Sequence, residues 1–259
     1  MVMFDISVVV RYHSKGDISL LKNALFSLCV QTRMVEPIII LHNCDDNIIK
    51  NIEDYLKILP WINNINNHWI ILNFNSEDDI RSMMLNKGIE ASSSKYVGFL
   101  DYDDIVYQNS YEILISSMQK SNAAVSFGGC RKAYLNMNVE HEYFILNKEP
   151  YLNRKIALIE LLNDNFFPIH SYIFDKEKID KKDFYINEKL HALEDYELLL
   201  RLFASYKFDL SSLHIPVAEY RMRNDETHTT PFHDLDSINS MPSWIYGREH
   251  ILKLKQELV

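Results

Sequence analysis

The sequence predicts an α/β fold with a mostly parallel central sheet flanked by helices. Short β-branched runs alternate with segments of helical period through about residue 127, which is typical of βα units. The chain of 259 residues is 47% apolar and 24% charged, as globular proteins are, and no linker divides it. We therefore expect one domain over residues 1–259, with halves at about 1–127 and 128–225 and a C-terminal extension at about 226–259.

Strands are predicted where β-branched residues run together, and helices where apolar residues recur every three or four positions. The first helix follows an Asp17 cap, and the third begins with Ser76 and Asp79 spaced as in a capping box. The predicted strands are residues 6–10, 37–41, 69–74, 96–100 and 123–127, and the predicted helices are residues 20–28, 48–59 and 76–91.

The regular alternation fades after residue 128. We predict a helix near 154–162, an apolar run over 166–174, and a helix over 193–206 that is apolar on most faces and therefore buried. The tail, residues 244–259, is amphipathic. Its pattern favours a helix packed on the body or on a second subunit over one lying on a membrane surface.

Composition excludes several function classes. A net charge of -9, from 27 basic and 36 acidic residues, argues against a general nucleic-acid binder, because phosphate backbones are held by Lys and Arg. With only 6 glycines, the chain has no Gly-rich dinucleotide or phosphate-binding loop. An anionic substrate would therefore need a metal ion.

The cysteines and the apolar runs bear on location. Cys29, Cys44 and Cys130 are odd in number and lack zinc-site spacing, so we interpret them as reduced core thiols of a cytoplasmic protein. The apolar run at residues 6–10 is too short for a signal peptide, and none is long enough to span a bilayer. We expect a cytoplasmic protein, either soluble or peripheral on the cytoplasmic face of the inner membrane.

An apolar strand runs directly into three carboxylates, Asp101, Asp103 and Asp104. Alternation puts Asp101 and Asp103 on one side of the extended chain, and ligands of α/β sheets gather at the carboxyl ends of strands. Clustered carboxylates suit a hard cation such as Mg²⁺ or Mn²⁺, which can bridge a diphosphate. The alternative is a turn that caps the helix starting near Asn109.

Glu194 and Asp195 fall in the first turn of the predicted buried helix. A carboxylate held there, near a metal-bound diphosphate, can remove the proton of an attacking hydroxyl. The helix macrodipole alone also favours acidic residues at this end, so the position is compatible with a purely structural role.

Four segments occur in order along the chain: residues 7–14 (SVVVRYHS), 86–91 (NKGIEA), 99–104 (FLDYDD) and 194–202 (EDYELLLRL). Together they resemble the family 2 glycosyltransferases of GT-A fold, and the likeness spans about residues 4–225. The resemblance implies metal-assisted, inverting transfer from a nucleoside-diphosphate sugar, with the donor in the first half and the acceptor in the second.

The resemblance also implies roles for single residues. Asp101 and Asp103 match the family's Asp-x-Asp, with Asp103 on a Mn²⁺ or Mg²⁺ ion and Asp101 beside it, and Asp104 matches a further acidic position. Asp195 matches the catalytic base and Glu194 its acidic neighbour. The segment lining the nucleobase and ribose corresponds to Arg11, Tyr12 and His13.

Four positions depart from the family pattern. His42 and Asn43 stand where a pair of aspartates usually reads the base, which leaves uridine only the favoured nucleobase. Arg81 lies one helical turn before the usual Arg position and is either its substitute or a solvated helix charge. Arg223 replaces a metal-binding His and can clamp the diphosphate, while His228, five residues later, is the alternative metal ligand.

His170 is a further candidate, either facing the acceptor or, the favoured interpretation, a satisfied histidine in a strand.

Two other functions stay open. One is a haloacid-dehalogenase-like phosphatase with Asp101 as nucleophile and Asp103 as acid and base. The other is a binding protein that holds the nucleotide sugar without turnover.

The resemblance suggests a place in bacterial surface polysaccharide or lipopolysaccharide synthesis. The expected donor is a UDP-linked hexose or N-acetylhexosamine, and the expected acceptor is a glycan or a lipid-linked glycan. No residue of the chain specifies the sugar or the linkage.

Overall fold

The computed structural model describes residues 4–61, 68–139, 142–152, 157–224 and 241–258. The strands are β1 (Ile6–His13), β2 (Val35–His42), β3 (Ile70–Phe74), β4 (Tyr96–Asp101), β5 (Ile105–Val106), β6 (Val125–Val139), β7 (Glu142–Pro150), β8 (Tyr172–Asp175) and β9 (Phe208–Arg223). The α-helices are α1 (Ile18–Cys29), α2 (Asp46–Ile58), α3 (Arg81–Ala91), α4 (Ser110–Ser121), α5 (Glu194–Phe203) and α6 (Pro242–Leu258). Short 3-10 helices cover Leu158–Leu162 and Ile169–Ser171.

The strands form one sheet in the order β3-β2-β1-β4-β8-β6-β9-β5, with β7 hydrogen-bonded to β6. From β3 to β4 every pairing is parallel, as helical crossovers require. β8 then pairs antiparallel with both β4 and β6, and β9 lies parallel to β6. The predicted α/β fold is confirmed, and the whole sheet is mixed because the strands beyond β4 run in both directions.

Alternate residues of β1 enter two hydrophobic clusters. Val8 and Val10 belong to a cluster with α1 and α4, whereas Val9 belongs to one with α3 and α5. A strand buried on both faces is apolar at successive positions, which explains the three consecutive valines of β1 at positions 8–10. The predicted core strands and the buried helix α5 are therefore found where the sequence places them.

The third helix begins later than predicted. Ser76 does not cap it: its carbonyl oxygen accepts from the Asn43 side chain at 2.7 Å, and its amide donates to the same side chain at 2.9 Å. α3 begins at Arg81, whose amide donates to the Asp79 side chain at 3.1 Å. The predicted capping box is wrong, because the Ser76 hydroxyl accepts from the Asp78 amide at 3.0 Å and the helix starts only at Arg81.

Two predictions in the second half also change. The helix predicted near 154–162 is a 3-10 helix at Leu158–Leu162 within the described residues. The long strands β7 and β9 were not predicted, because their polar and aromatic residues lack the apolar alternation of a core strand. They form because each pairs along the extended β6, so partner strands outweigh local propensity.

The tail forms α6, which packs against α5. Gly247 and Ile251 are its buried residues, and a Cβ at Gly247 would lie 2.8 Å from the carbonyl oxygen of Ala192. This contact confirms the preferred interpretation of the tail as a helix packed on the body. No helix within the described ranges combines the length and the apolarity that crossing a membrane demands.

Candidate active site

A cavity of about 460 Å³ opens at the carboxyl ends of β1, β2 and β4. Parallel strands end at the same edge of a sheet, so residues far apart in the sequence meet there. We call it the acidic cavity. The predicted site residues that line it are Arg11, Tyr12, His13, His42, Asn43, Arg81, Asp101, Asp103, Asp104 and Arg223.

Arg11 joins two of the sequence motifs. It faces Asp101 across the β1–β4 pair, where its Nε donates to Oδ1 at 2.7 Å and its Nη2 to Oδ2 at 3.0 Å. Its Nη1 donates to Glu194 Oε1 at 2.9 Å. Burial lowers the pKa of Arg11, but Asp101 and Glu194 outweigh it and raise that pKa above its usual value. Because both Asp101 oxygens accept from Arg11, the geometry disfavours Asp101 as a phosphoryl acceptor.

Asp103 faces Arg223, which is buried. Its Oδ2 lies 3.1 Å from Nη2 of Arg223, and the two side chains are 15% and 3% exposed. Burial, and then repulsion from Asp104, raise the pKa of Asp103 to about 7, although Arg223 acts to lower it. One guanidinium therefore does not fully compensate the charge of this carboxylate.

Asp104 is engaged within the protein. Its Oδ1 accepts from the backbone amide of Arg221 at 2.7 Å, and its Oδ2 lies 3.0 Å from Nδ1 of the buried His170. Burial lowers the pKa of His170, but Asp104 and then Cys130 raise it well above the usual value. His170 is thus a buried histidine beside Asp104, and it lies in a 3-10 helix rather than in the strand that was favoured.

The first turn of α5 places the predicted base behind the acidic cavity. Leu193 precedes the helix with φ of 63°, a left-handed conformation that is uncommon for a branched residue. Glu194 is buried against Arg11, and Asp195 accepts from Asn165 Nδ2 at 3.3 Å. Burial, and then the neighbouring Glu194, raise the pKa of Asp195 to about 7. A carboxylate titrating near neutrality has the acidity that a general base requires.

The base-reading positions are tied to a loop. Asn43 has φ of 57°. Its side-chain Nδ2 donates to the carbonyl oxygen of Ser76, and its Oδ1 accepts from the Ser76 amide. His42 Nε2 lies 3.1 Å from the same Ser76 carbonyl oxygen. These two side chains therefore shape the wall of the acidic cavity through the loop that follows β3.

Aromatic rings border the same cavity. His13 is stacked on Tyr12 at 6.3 Å and meets Tyr102 edge-on at 5.3 Å. Tyr102 also accepts from Nη1 of Arg223 at 3.3 Å. Flat rings beside cationic groups are suited to a nucleoside that carries phosphates.

Arg81 lines the cavity from the start of α3. Its Nε lies 2.9 Å from Asp79 Oδ2, and its Nη2 lies 2.8 Å from the same oxygen. The ion pair between Arg81 and Asp79 is only partly buried. Arg81 therefore faces the cavity already paired with the Asp79 carboxylate.

The residues present fit a cation only in part. Within the part of the chain that the structure describes, no three His, Cys, Asp or Glu side chains are grouped so as to hold a metal. His228 lies outside the described residues. Mg²⁺ commonly takes one or two carboxylates and completes its shell with phosphate oxygens and water. Asp103, whose charge is incompletely compensated, fits that kind of site.

Sequence reasoning missed Asn165 and the Asp104–His170 pair. Both contacts join segments more than 25 residues apart, with separations of 30 and 66 along the numbering (195 − 165 and 170 − 104). Asn165 lies in a polar loop that carries no motif, so no local signal could have identified it.

Comparison with known proteins identifies a matching sequence family and a group of solved structures with a similar fold. The sequence matches the model of the family described as Glycosyl transferase family 2 over residues 7–183. A search of curated proteins returns no match to the sequence.

Crystal structures of S. aureus TarS are similar in fold. TarS 1-349 in complex with UDP has a TM-score of 0.64 at 13% identity, covering 98% of this chain and 65% of that chain. The complex with UDP-GlcNAc has a TM-score of 0.65 at 13% identity, covering 98% and 66%. A further TarS structure has a TM-score of 0.60 at 13% identity, covering 84% and 37%.

The chain thus spans less than two thirds of the length of these TarS chains, and at such identity the likeness shows the fold alone. It confirms the GT-A fold that the sequence motifs imply. The family model covers more than half of the 259 residues, including the strand that ends in Asp101 and the first strand with Arg11. The chain belongs to glycosyltransferase family 2.

Proposed function

We propose that the protein transfers a sugar from a nucleoside-diphosphate sugar to an acceptor hydroxyl, with inversion at the anomeric carbon. One observation carries this proposal: half-buried Arg11 and buried Arg223 each pair with an acid of the Asp101–Asp103 motif in the lining of a single cavity. Alternating buried charges of this kind suit a diphosphate that arrives with a divalent cation.

The donor lies in the acidic cavity. Arg223 holds the diphosphate, and the rings of His13 and Tyr102 border the nucleoside. UDP-linked N-acetylhexosamine is the favoured donor, which the TarS complexes with UDP and UDP-GlcNAc support. Arg81 and Asn43 complete the far wall of the cavity.

Asp103, with Asp101 beside it, would hold Mn²⁺ or Mg²⁺ together with the diphosphate. A bound divalent ion neutralises charge on a departing diphosphate. Nη2 of Arg223 lies 3.1 Å from Oδ2 of Asp103, so Arg223 contributes positive charge whether or not the ion is bound. His228 remains a candidate ligand of the same ion.

Asp195 acts as the general base. It takes the proton of the acceptor hydroxyl, the acceptor oxygen forms a bond to the anomeric carbon, and the bond from that carbon to the diphosphate oxygen breaks. One displacement of this kind inverts the anomeric centre. Glu194 positions the base through its ion pair with Arg11 at 2.9 Å.

The acceptor binds to the half beyond residue 128, and the expected acceptor is a glycan or a lipid-linked glycan of a bacterial surface polysaccharide. The proposed location is the cytoplasm, or its membrane face. These assignments rest on the family, because loop residues that select an acceptor follow no transferable code.

The test is release of nucleoside diphosphate from a panel of UDP-, GDP- and dTDP-sugars, with water as the acceptor. We expect one donor to be turned over slowly, and Asp195→Asn to reduce the rate at least about 100-fold while leaving donor affinity within about threefold. Asp164→Asn, an exposed acid near α5, is the matched control. Binding of a donor without turnover of any would instead support a binding protein, and normal turnover by Asp195→Asn would remove that residue from the role.

A further inference from the structure

A second cavity, of about 350 Å³, lies beside the acidic cavity and is lined by Cys130, Tyr151, Phe167, Ser171 and His214 among others. We call it the Cys130 cavity. Cys29 and Cys44 are buried as predicted, but Cys130 is only half-buried, so the prediction of a core thiol is wrong there. Cys130 lies on β6 at the edge of a core cluster that includes Ala133 and Leu135 further along the strand, and its side chain lines the cavity.

Cys130 heads a chain of three polar side chains. Its Sγ lies 3.7 Å from Nε2 of His170, and Nδ1 of His170 lies 3.0 Å from Oδ2 of Asp104. A thiol, an imidazole and a carboxylate in this order form the arrangement that activates a nucleophile, in which the acid orients the ring and the ring holds the thiol proton.

The surroundings fix the imidazole in this orientation. His170 is 2% exposed and lies parallel to the ring of Tyr220, with centroids 6.2 Å apart and an interplanar angle of 11°. Asp104 is held in turn by the Arg221 amide at 2.7 Å. A protonated imidazole donates from both nitrogens, so it satisfies the carboxylate and presents a positive N–H to the sulfur.

We propose that Cys130 is a site of covalent thiol modification by small disulfides or soft alkylating agents that enter the Cys130 cavity. With a disulfide, the Cys130 sulfur attacks one sulfur of the reagent, the reagent's S–S bond breaks, and its other half leaves as a thiolate. Cys130 is thereby oxidised to a mixed disulfide and the reagent is reduced by the same two electrons. His170 holds the proton that the thiol gives up.

The modification reaches the acidic cavity through His170. Asp104 lines the acidic cavity, whereas Cys130 lines its neighbour, and the imidazole between them contacts both. A group attached to Cys130 therefore lies against the residue that holds Asp104 in place.

The experiment measures the reaction of the whole protein with dithiodipyridine, a small aromatic disulfide that releases a coloured thiopyridone, and assigns each adduct by peptide mass spectrometry. We expect Cys130 to react about tenfold faster than N-acetylcysteine in the same buffer, and Cys29 and Cys44 to stay unmodified until the protein is denatured. Cys130→Ser removes the fast phase. A Cys130 rate at or below that of N-acetylcysteine would overturn the proposal.

His170→Gln tests the imidazole and should slow Cys130 about tenfold. His214→Gln is the matched control, because His214 lines the same cavity from an exposed position and should leave the rate unchanged. Equal rates in His170→Gln and the wild type would also overturn the proposal. If His170→Gln does not fold, the wild-type comparison with N-acetylcysteine decides alone. The labelling needs neither donor nor acceptor, so its failure is separate from a failure of the proposed transfer reaction.

Discussion

At the scale of residues, Arg11 connects the two halves of the chain. Its guanidinium contacts Asp101 at the end of β4 and Glu194 at the start of α5, which lie 93 positions apart (194 − 101). Without it, the buried carboxylate of Glu194 and the half-buried carboxylate of Asp101 would have no arginine between them. The ion pair therefore sets the position of α5, and with it that of Asp195, relative to the acidic cavity.

Arg11→Gln should lower the free energy of unfolding by about 3 kcal/mol, because it leaves buried Glu194 and half-buried Asp101 uncompensated. The control is Arg33→Gln, whose partners Asp5 and Glu112 are both partly exposed, and its cost should stay below about 1 kcal/mol. Urea denaturation of both variants measures the difference. Equal costs for the two substitutions would mean that Arg11 does not hold the site together.

Asp195 gives a pH dependence whose sign follows from its pKa of about 7. The native state binds this proton up to about pH 7, whereas the unfolded chain loses it near pH 4, so stability falls as the pH rises between the two values. Asp195→Asn removes that dependence. Urea midpoints should therefore fall less between pH 5 and about pH 8 in the variant than in the wild type, and parallel midpoints would contradict the assigned burial.

The same carboxylate must be ionised to act as a base. Turnover should therefore rise with pH through about 7 and then level off. Four groups act on the carboxylate: Glu194 beside it, the backbone amide of Tyr196, Asn165 from the loop, and Arg11 beyond. A rate that is constant from pH 5 to about pH 8 would exclude Asp195 as the base.

Much of the site could be predicted at this scale, because Asp101, Asp103 and Arg11 lie at strand ends that parallel pairing brings together. The contacts that other segments make with this site could not be predicted from the sequence. Asp104 matches an acidic position of the family's motif, yet both of its oxygens contact protein groups. His170 reaches Asp104 only because the 3-10 helix before β8 packs against β5. Contacts of that kind depend on packing that no local pattern encodes.

At the scale of elements, α3 packs closely against β1 because Gly88 has no side chain. Gly88 faces Val9, and a Cβ there would collide with the Val9 methyl groups. This close approach carries the start of α3, with Arg81, to the rim of the acidic cavity. Gly88 belongs to one of the family-like segments, so that segment has a packing role as well as a place in the motif.

Gly88→Ala should destabilise the protein by about 1–3 kcal/mol, since the clash with a stiff β-branched residue exceeds the gain of about 1 kcal/mol in helix propensity. Adding Val9→Ala to Gly88→Ala should recover part of the loss, because it removes the colliding methyl groups. A double-mutant cycle by thermal or urea unfolding measures the coupling. Additive effects of the two substitutions would show that the helix simply moves away.

At the scale of the whole molecule, charge is distributed unevenly. The chain carries a net charge of -9, and the acidic cavity is lined by more acidic than basic side chains, yet Arg11 and Arg223 lie in its wall. An anionic ligand is therefore repelled by the protein as a whole and attracted only locally by these two guanidinium groups, so a diphosphate should bind best with a cation that reduces its charge.

The most direct test of this account is the melting temperature of the protein with UDP, GDP, CDP and dTDP, each with and without Mn²⁺. We expect UDP with Mn²⁺ to raise the melting temperature of the wild type by about 5 °C, and UDP alone to raise it much less. Asp103→Asn should lose most of the shift, and Asp54→Asn, at an exposed position on α2, should keep it. No shift with any diphosphate, or a full shift in Asp103→Asn, would contradict the claim that this cavity binds a metal-bound nucleoside diphosphate.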